Sequence, residues 1–286
     1  GWPSKMTEHT PGPQLCPRCR RLVSVDEPKC PHCGLSHPGA RWKHSPVGQI
    51  FFGQDHLIRY LVYLNIAFYV LSLIINPRGT GISANPLRML SPDSQGLLLL
   101  GATGSIPIDR FGRWWTLLSA NYLHGGILHL FFNMMAVGQV GPLVMREYGG
   151  HRFVAIYTLG GVCGFYVSYL FGVALTIGAS AALCALIGAS MYYGWHRGGV
   201  YGQAIYRQLG GWAVAILVFG FVVPGINNWG HGGGFLAGGL LGMALGYSER
   251  RPVNQGHRLL AAACVLLTVA VLLWALGSGF YYRFAQ

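Results

Sequence analysis

The chain has 286 residues, of which 52% are hydrophobic and only 10% charged, with 43 glycines. That balance excludes an ordinary soluble globule and describes a polytopic membrane protein. The formal net charge of +12 is spread over the N-terminal segment and short loops, so it forms no patch that would recognise nucleic acid.

Gly1 to Lys5, ahead of Met6, reads as a cloning remnant, and no cleavable signal peptide is visible, because the first apolar span starts near Leu57. Residues 6–36 hold two knuckles, Cys16-Pro-Arg-Cys19 and Cys30-Pro-His-Cys33. They resemble a zinc ribbon: four thiolates at this spacing close a tetrahedral Zn²⁺ site and fold a segment too small for a core of its own. Two disulfides or idle cysteines are the alternatives. Residues 37–50, rich in Pro, Gly and His, read as a linker, and Phe51 and Phe52 suit a membrane interface.

Seven apolar spans follow, at about 57–76, 127–145, 152–174, 180–196, 208–223, 231–247 and 258–279. The fourth and sixth are short and glycine-rich, as suits helices buried inside a bundle. Between the first two spans lies a proline-rich segment with Trp114 and Trp115, placed at an interface; its Leu97–Leu100 run is too short to cross. Cys163, Cys184 and Cys264 lie in apolar spans and read as packing residues.

The fourth span opens Gly178-Ala179-Ser180, and Ser180, Cys184 and Gly188 share one helical face of small residues. The sixth opens Gly230-His231-Gly232-Gly233-Gly234, and Gly238 and Gly242 continue its stripe. Two small-faced helices pack backbone to backbone in lipid, which brings a serine opposite a histidine. A packing serine bonded to its own helix is the bland alternative for Ser180. It is weaker for His231, because intramembrane ionisable groups are costly and usually functional.

Together with His124-Gly-Gly-Ile-Leu-His129-Leu-Phe-Phe-Asn133, these motifs resemble the rhomboid family of intramembrane serine proteases over roughly residues 50–250. The resemblance implies a six-helix core at 51–250, with 251–286 adding a seventh transmembrane helix and tail, and a first loop that is partly helical. It implies a catalytic dyad of Ser180 and His231, an oxyanion hole built with His129 and Asn133 and the Ser180 N–H, and His124 near the site. It also implies transmembrane protein substrates in the lipid bilayer, cut near their outer ends, with helix-breaking residues and a small residue before the cut. Residues four apart, such as His129 and Asn133, can aim donors at one point. No acid falls within the spans as drawn, which favours a dyad over a triad.

Arg146, Arg152, Arg197, Arg207, Arg250, Arg251 and Arg258 then lie in inner loops, and the short loops near 175 and 225 lack Lys and Arg. The N-terminus is therefore expected in the cytoplasm and the C-terminus outside, in a bacterial inner membrane. The cysteine knuckles then face a reducing compartment, where zinc is favoured over disulfides.

Four positions depart from the family pattern. Ala181 stands where glycine is usual and adds a methyl near the oxyanion hole; Cys184 replaces an aromatic that packs on the histidine. Thr116 follows Trp115 in place of arginine. Met145 occupies the glutamate position between Gly141 and Gly149, with Glu147 out of register. None removes a reacting group, so an active enzyme of modest rate is expected. The alternative function is a non-catalytic rhomboid-like protein that binds transmembrane helices and guides their folding or turnover; a transporter would want charged residues lining the spans.

Overall fold

The computed structural model describes residues 13–19, 21–44, 56–76 and 89–284, which divide between two compact units, residues 1–60 and 61–286. The proposed cloning remnant, Phe51, Phe52 and the start of the proline-rich segment fall outside the described residues.

In the N-terminal unit, β1 (Gln14–Leu15) pairs antiparallel with β2 (Leu22–Val23), Leu15 opposite Leu22. The first cysteine knuckle is the turn of this hairpin. The second follows the same plan, because Lys29 and Ser36 form an isolated bridge around it. Val23 and Leu35 pack with Cys16 and Cys30 into a four-residue core. A core that small needs a staple. One short helix, α1 (Arg41–His44), follows within the expected linker.

The second unit is helical. Its long helices are α2 (His56–Ile75), which begins at the unit boundary, α6 (Ile127–Tyr148), α7 (Gly150–Leu170), α8 (Ser180–Arg197), α9 (Gly199–Val222), α10 (Asn228–Leu245) and α11 (Gln255–Phe284). Each expected span thus corresponds to a helix. Among the described residues five are long and apolar enough to cross a membrane: α2, α6, α7, α9 and α11 up to Arg283. The other two, α8 and α10, carry the small-residue faces. Arg146, Arg152, Arg207 and Arg258, expected in loops, lie inside α6, α7, α9 and α11, and Glu147 falls in the last turn of α6.

The core sits on α8. From Ala181 to Ser190 every residue is buried. Its most extensive contacts are with α10, and α7 packs on both. The reason is the absence of side chains: a Cβ built at Gly238 would collide with the Ala185 backbone, and one at Gly188 with the Phe235 carbonyl. Such approach lets dispersion replace the hydrophobic driving force that lipid does not supply. Of the cysteines expected to pack, Cys184 and Cys264 are buried, whereas Cys163 is exposed on α7, a correction to that reading.

The segment before α6 is wound into short helices, α3 (Ser94–Leu99), α4 (Ser105–Phe111) and α5 (Thr116–Ser119), then a 3-10 turn at Ala120–Tyr122. Asp93 caps α3, accepting from the N–H groups of Gln95 and Gly96 at 2.9 and 3.4 Å. Thr116 donates to the Arg113 carbonyl at 2.6 Å and accepts from the Thr103 hydroxyl at 3.0 Å, so it knits the segment internally. At the other end of the bundle, Glu147 accepts from Arg146 Nε and Tyr201, each at 2.7 Å, and Arg197 pairs with Glu249 at 3.1 Å. Glu147 therefore ties α6 to α9 although it is out of register. Arg152, 1% exposed, donates to the carbonyls of Tyr148, Arg251 and Pro252, pinning the turn ahead of α11.

Candidate active site

Ser180 is the first residue of α8. The loop that delivers it is strapped to the segment before α6: Thr176 N–H donates to the Thr103 carbonyl at 2.7 Å, and Thr103 N–H returns to Thr176 at 3.1 Å. Gly178 N–H donates to Ala120 at 2.9 Å. Ala179 caps α8 with no side-chain bond, so the first-turn N–H groups beside Ser180 lack a helical acceptor. These free donors and the helix dipole make the spot attractive to developing negative charge.

His231 lies in the first turn of α10. Its Nε2 is 3.0 Å from Ser180 Oγ, a contact across 51 residues of sequence. With the hydroxyl donating to Nε2, the ring proton resides on Nδ1. That atom is buried and has no hydrogen-bond partner among the described residues. The pair is therefore a serine and a histidine without an orienting acid.

His129, in the first turn of α6, lies beside them. Its Nδ1 accepts from the Gly125 N–H at 3.2 Å, so the neutral ring carries its proton on Nε2. A Cβ built at Gly178 would stand 2.8 Å from His129 Cε1 and Nε2, and 3.7 Å from Ser180 Oγ. Gly178 has φ +123, a conformation L side chains rarely adopt. Backbone shape and the ring thus both demand glycine here. His124 is fully buried, its ring edge-on to His129 at 5.0 Å.

Asn133 lies one turn further along α6, 6% exposed. Its Nδ2 donates to the His129 carbonyl at 2.8 Å, and Oδ1 has no partner among the described residues. One amide hydrogen is thus bonded within the helix and the other is uncommitted. Cys184 is buried one turn below Ser180. The Ala181 methyl, expected near the oxyanion hole, packs instead with Ile108, Leu117, Ala120 and Phe165. One step along a helix turns a side chain by about 100°, which carries this methyl away from the serine. Sequence reasoning misses Asn227, the N-cap of α10, although Asn just ahead of a glycine-rich helix carries that signal.

In the N-terminal unit the sulfurs of Cys16, Cys19, Cys30 and Cys33 all lie within 4.8 Å of one another and could hold a metal ion. Cys16 and Cys33 are 3.7 Å apart, Cys19 and Cys30 3.6 Å, and all four are free thiols. Burial raises Cys30, but N–H donors from His32 and Cys33 outweigh it and bring the thiol down to about 7. Burial pushes Cys33 up to about 12.

The family described as Rhomboid domain matches residues 111–248, which contain the serine, both flanking histidines, Asn133 and His231. Rhomboid protease GluP of Bacillus subtilis (strain 168) is 36% identical over 192 residues, 67% of this chain and 36% of that protein. RHOMBOID-like protein 4 of Arabidopsis thaliana is 29% identical over 247 residues, 77% of this chain and 62% of its own length. RHOMBOID-like protein 7 of the same plant is 35% identical over 167 residues, 57% of this chain and 52% of its own. The chain thus spans between about a third and two thirds of these relatives' length.

Proposed function

This chain belongs to the rhomboid family, and from that premise we propose that it is an intramembrane serine endopeptidase working through Ser180 and His231. The observation that carries the proposal is the 3.0 Å contact between Ser180 Oγ and His231 Nε2. Ser180 Oγ attacks the scissile carbonyl carbon while Nε2 takes its proton. The oxyanion meets the Ser180 N–H and His129 Nε2–H, with the uncommitted Asn133 amide hydrogen as a further donor. The carbon–nitrogen bond then breaks as Nε2 passes its proton to the leaving amine, and water, activated by the same nitrogen, hydrolyses the ester. Substrates are transmembrane proteins cut near their outer ends, where a helix-breaking sequence exposes an extended peptide bond. The end of the bundle that carries Arg146, Arg152, Arg197, Arg250 and Arg251 faces the cytoplasm and the N-terminus lies with it.

The N-terminal cluster is proposed to bind one structural Zn²⁺. A Zn–S bond of about 2.3 Å in a tetrahedron sets sulfurs about 3.8 Å apart, and a disulfide needs about 2.05 Å. The observed 3.6 and 3.7 Å fit the first.

The decisive test is activity-based labelling. A fluorophosphonate should modify Ser180 in detergent or liposomes, and purified protein should cleave a model transmembrane substrate in proteoliposomes. Substrate binding with neither labelling nor cleavage would transfer the preference to the non-catalytic, helix-guiding reading.

A further inference from the structure

The two reacting residues sit on helix starts of different kinds, α8 without a side-chain cap and α10 capped by Asn227. Ser180 follows an uncapped turn, and His231 has no acid behind it. One side chain bonds to both the loop before Ser180 and the helix start of His231. Asn227 Oδ1 accepts from the Gly230 N–H at 2.9 Å, and its backbone carbonyl accepts from the His231 N–H at 3.1 Å. Those bonds fix the amide's orientation, so Nδ2 faces the other way, toward two hydroxyls: Ser168 Oγ of α7 at 2.7 Å and Thr176 Oγ1 at 2.9 Å. Thr176 is four residues ahead of Ser180 and is itself strapped to Thr103. Ser168 is fully buried and donates to the Gly164 carbonyl at 3.1 Å. The arrangement leaves no slack: a Cβ at Gly230 would lie 2.8 Å from Asn227 Nδ2 and 3.0 Å from Ser168 Oγ.

We propose that Asn227 is a positioning residue for the dyad, a clamp that locks the loop delivering Ser180 to the helix start delivering His231. The proposal rests on the protease reading above. Proton transfer from Ser180 to His231 depends on registry between two helices that meet through glycine and alanine, which offer no side-chain hydrogen bond to fix that registry. A clamp at their common end removes that freedom, and misplacement of about 1 Å costs about a hundredfold in rate.

The test compares wild type, Asn227→Ala, Asn227→Asp, Thr176→Val and the Asn227→Ala/Thr176→Val double variant in proteoliposomes. It follows kcat, KM, the rate of fluorophosphonate labelling and the melting temperature. Asn227→Ala should lower kcat and the labelling rate together by about ten- to a hundredfold, with KM within about twofold. Thr176→Val keeps the α10 cap and should lose several-fold. The double variant should be no slower than Asn227→Ala, because both changes cut one link. Asn227→Asp should restore most activity: the carboxylate still caps Gly230, and the Ser168 and Thr176 hydroxyls turn to donate to it. A labelling rate per folded molecule equal to wild type in Asn227→Ala and Thr176→Val overturns the positioning role alone, even if the melting temperature falls. Wild type that is neither labelled nor active overturns the protease reading and the positioning role with it.

Discussion

An alcohol is a poor nucleophile until a base takes its proton, so Ser180 and His231 act as one unit or not at all. Ser180→Ala should reduce cleavage of a transmembrane substrate to background, His231→Ala should nearly match it, and the double variant should be no worse than either. A serine that merely packs behaves oppositely, since alanine suits a small-residue interface; substantial turnover in Ser180→Ala would end the protease mechanism. Asn133 presents a sharper choice. Its bond to the His129 carbonyl is a packing bond, and its second amide hydrogen is the catalytic possibility. Loss of one oxyanion donor typically costs about a hundredfold in rate, roughly 3 kcal/mol. Asn133→Ala should therefore lower kcat far more than it raises KM. A change confined to thermal stability would assign the residue to the helix alone.

At the scale of elements, the contact between Ser180 and His231 exists because α8 and α10 touch backbone to backbone. A side chain at Gly238 has nowhere to go but into Ala185 of the facing helix. Gly238→Leu should separate the two helices below the site, lowering the melting temperature and abolishing fluorophosphonate labelling together; inserting bulk into a filled interface typically costs about 1–3 kcal/mol. Gly238→Leu labelled at the wild-type rate would show that the interface does not hold the dyad. The loop before α8 is as demanding. Gly178→Ala meets both the positive φ and the His129 ring, so the variant must push the ring from the serine. Its kcat should fall as far as that of Asn133→Ala.

At the scale of the whole molecule, the two compact units each have a core of their own. The N-terminal core is four residues, two of them cysteines of the cluster, so under the zinc proposal its folding free energy would come chiefly from the metal. Protein purified without chelator should contain one Zn²⁺ per chain; well under one equivalent by metal analysis removes the assignment. Cys16→Ser with Cys30→Ser should unfold that unit, read as rapid proteolysis ahead of α2, and leave the labelling rate of Ser180 unchanged. A folded membrane unit that no longer labels would mean that the N-terminal unit supports the site.

Much of this was legible in the linear chain because it depends on local chemistry. Apolar length set the seven helices, paired knuckles set the cysteine cluster, and small residues at spacings of four marked α8 and α10 as the helices that approach most closely. Where reading failed, the deciding contact came from elsewhere in the chain. The Ala181 methyl turned out to face α5 and α7, because its direction depends on which side of α8 the serine occupies. Glu147, out of register in sequence, found Tyr201 across the bundle. Asn227 went unread beyond its capping signal, because two of its four bonds reach Ser168 and Thr176, more than fifty residues away. A helix propensity or a metal knuckle is fixed by neighbours in sequence. A hydrogen bond between helices is fixed only once packing has chosen their rotation and depth, and at this site that choice is made by glycines whose role is to let something else come near.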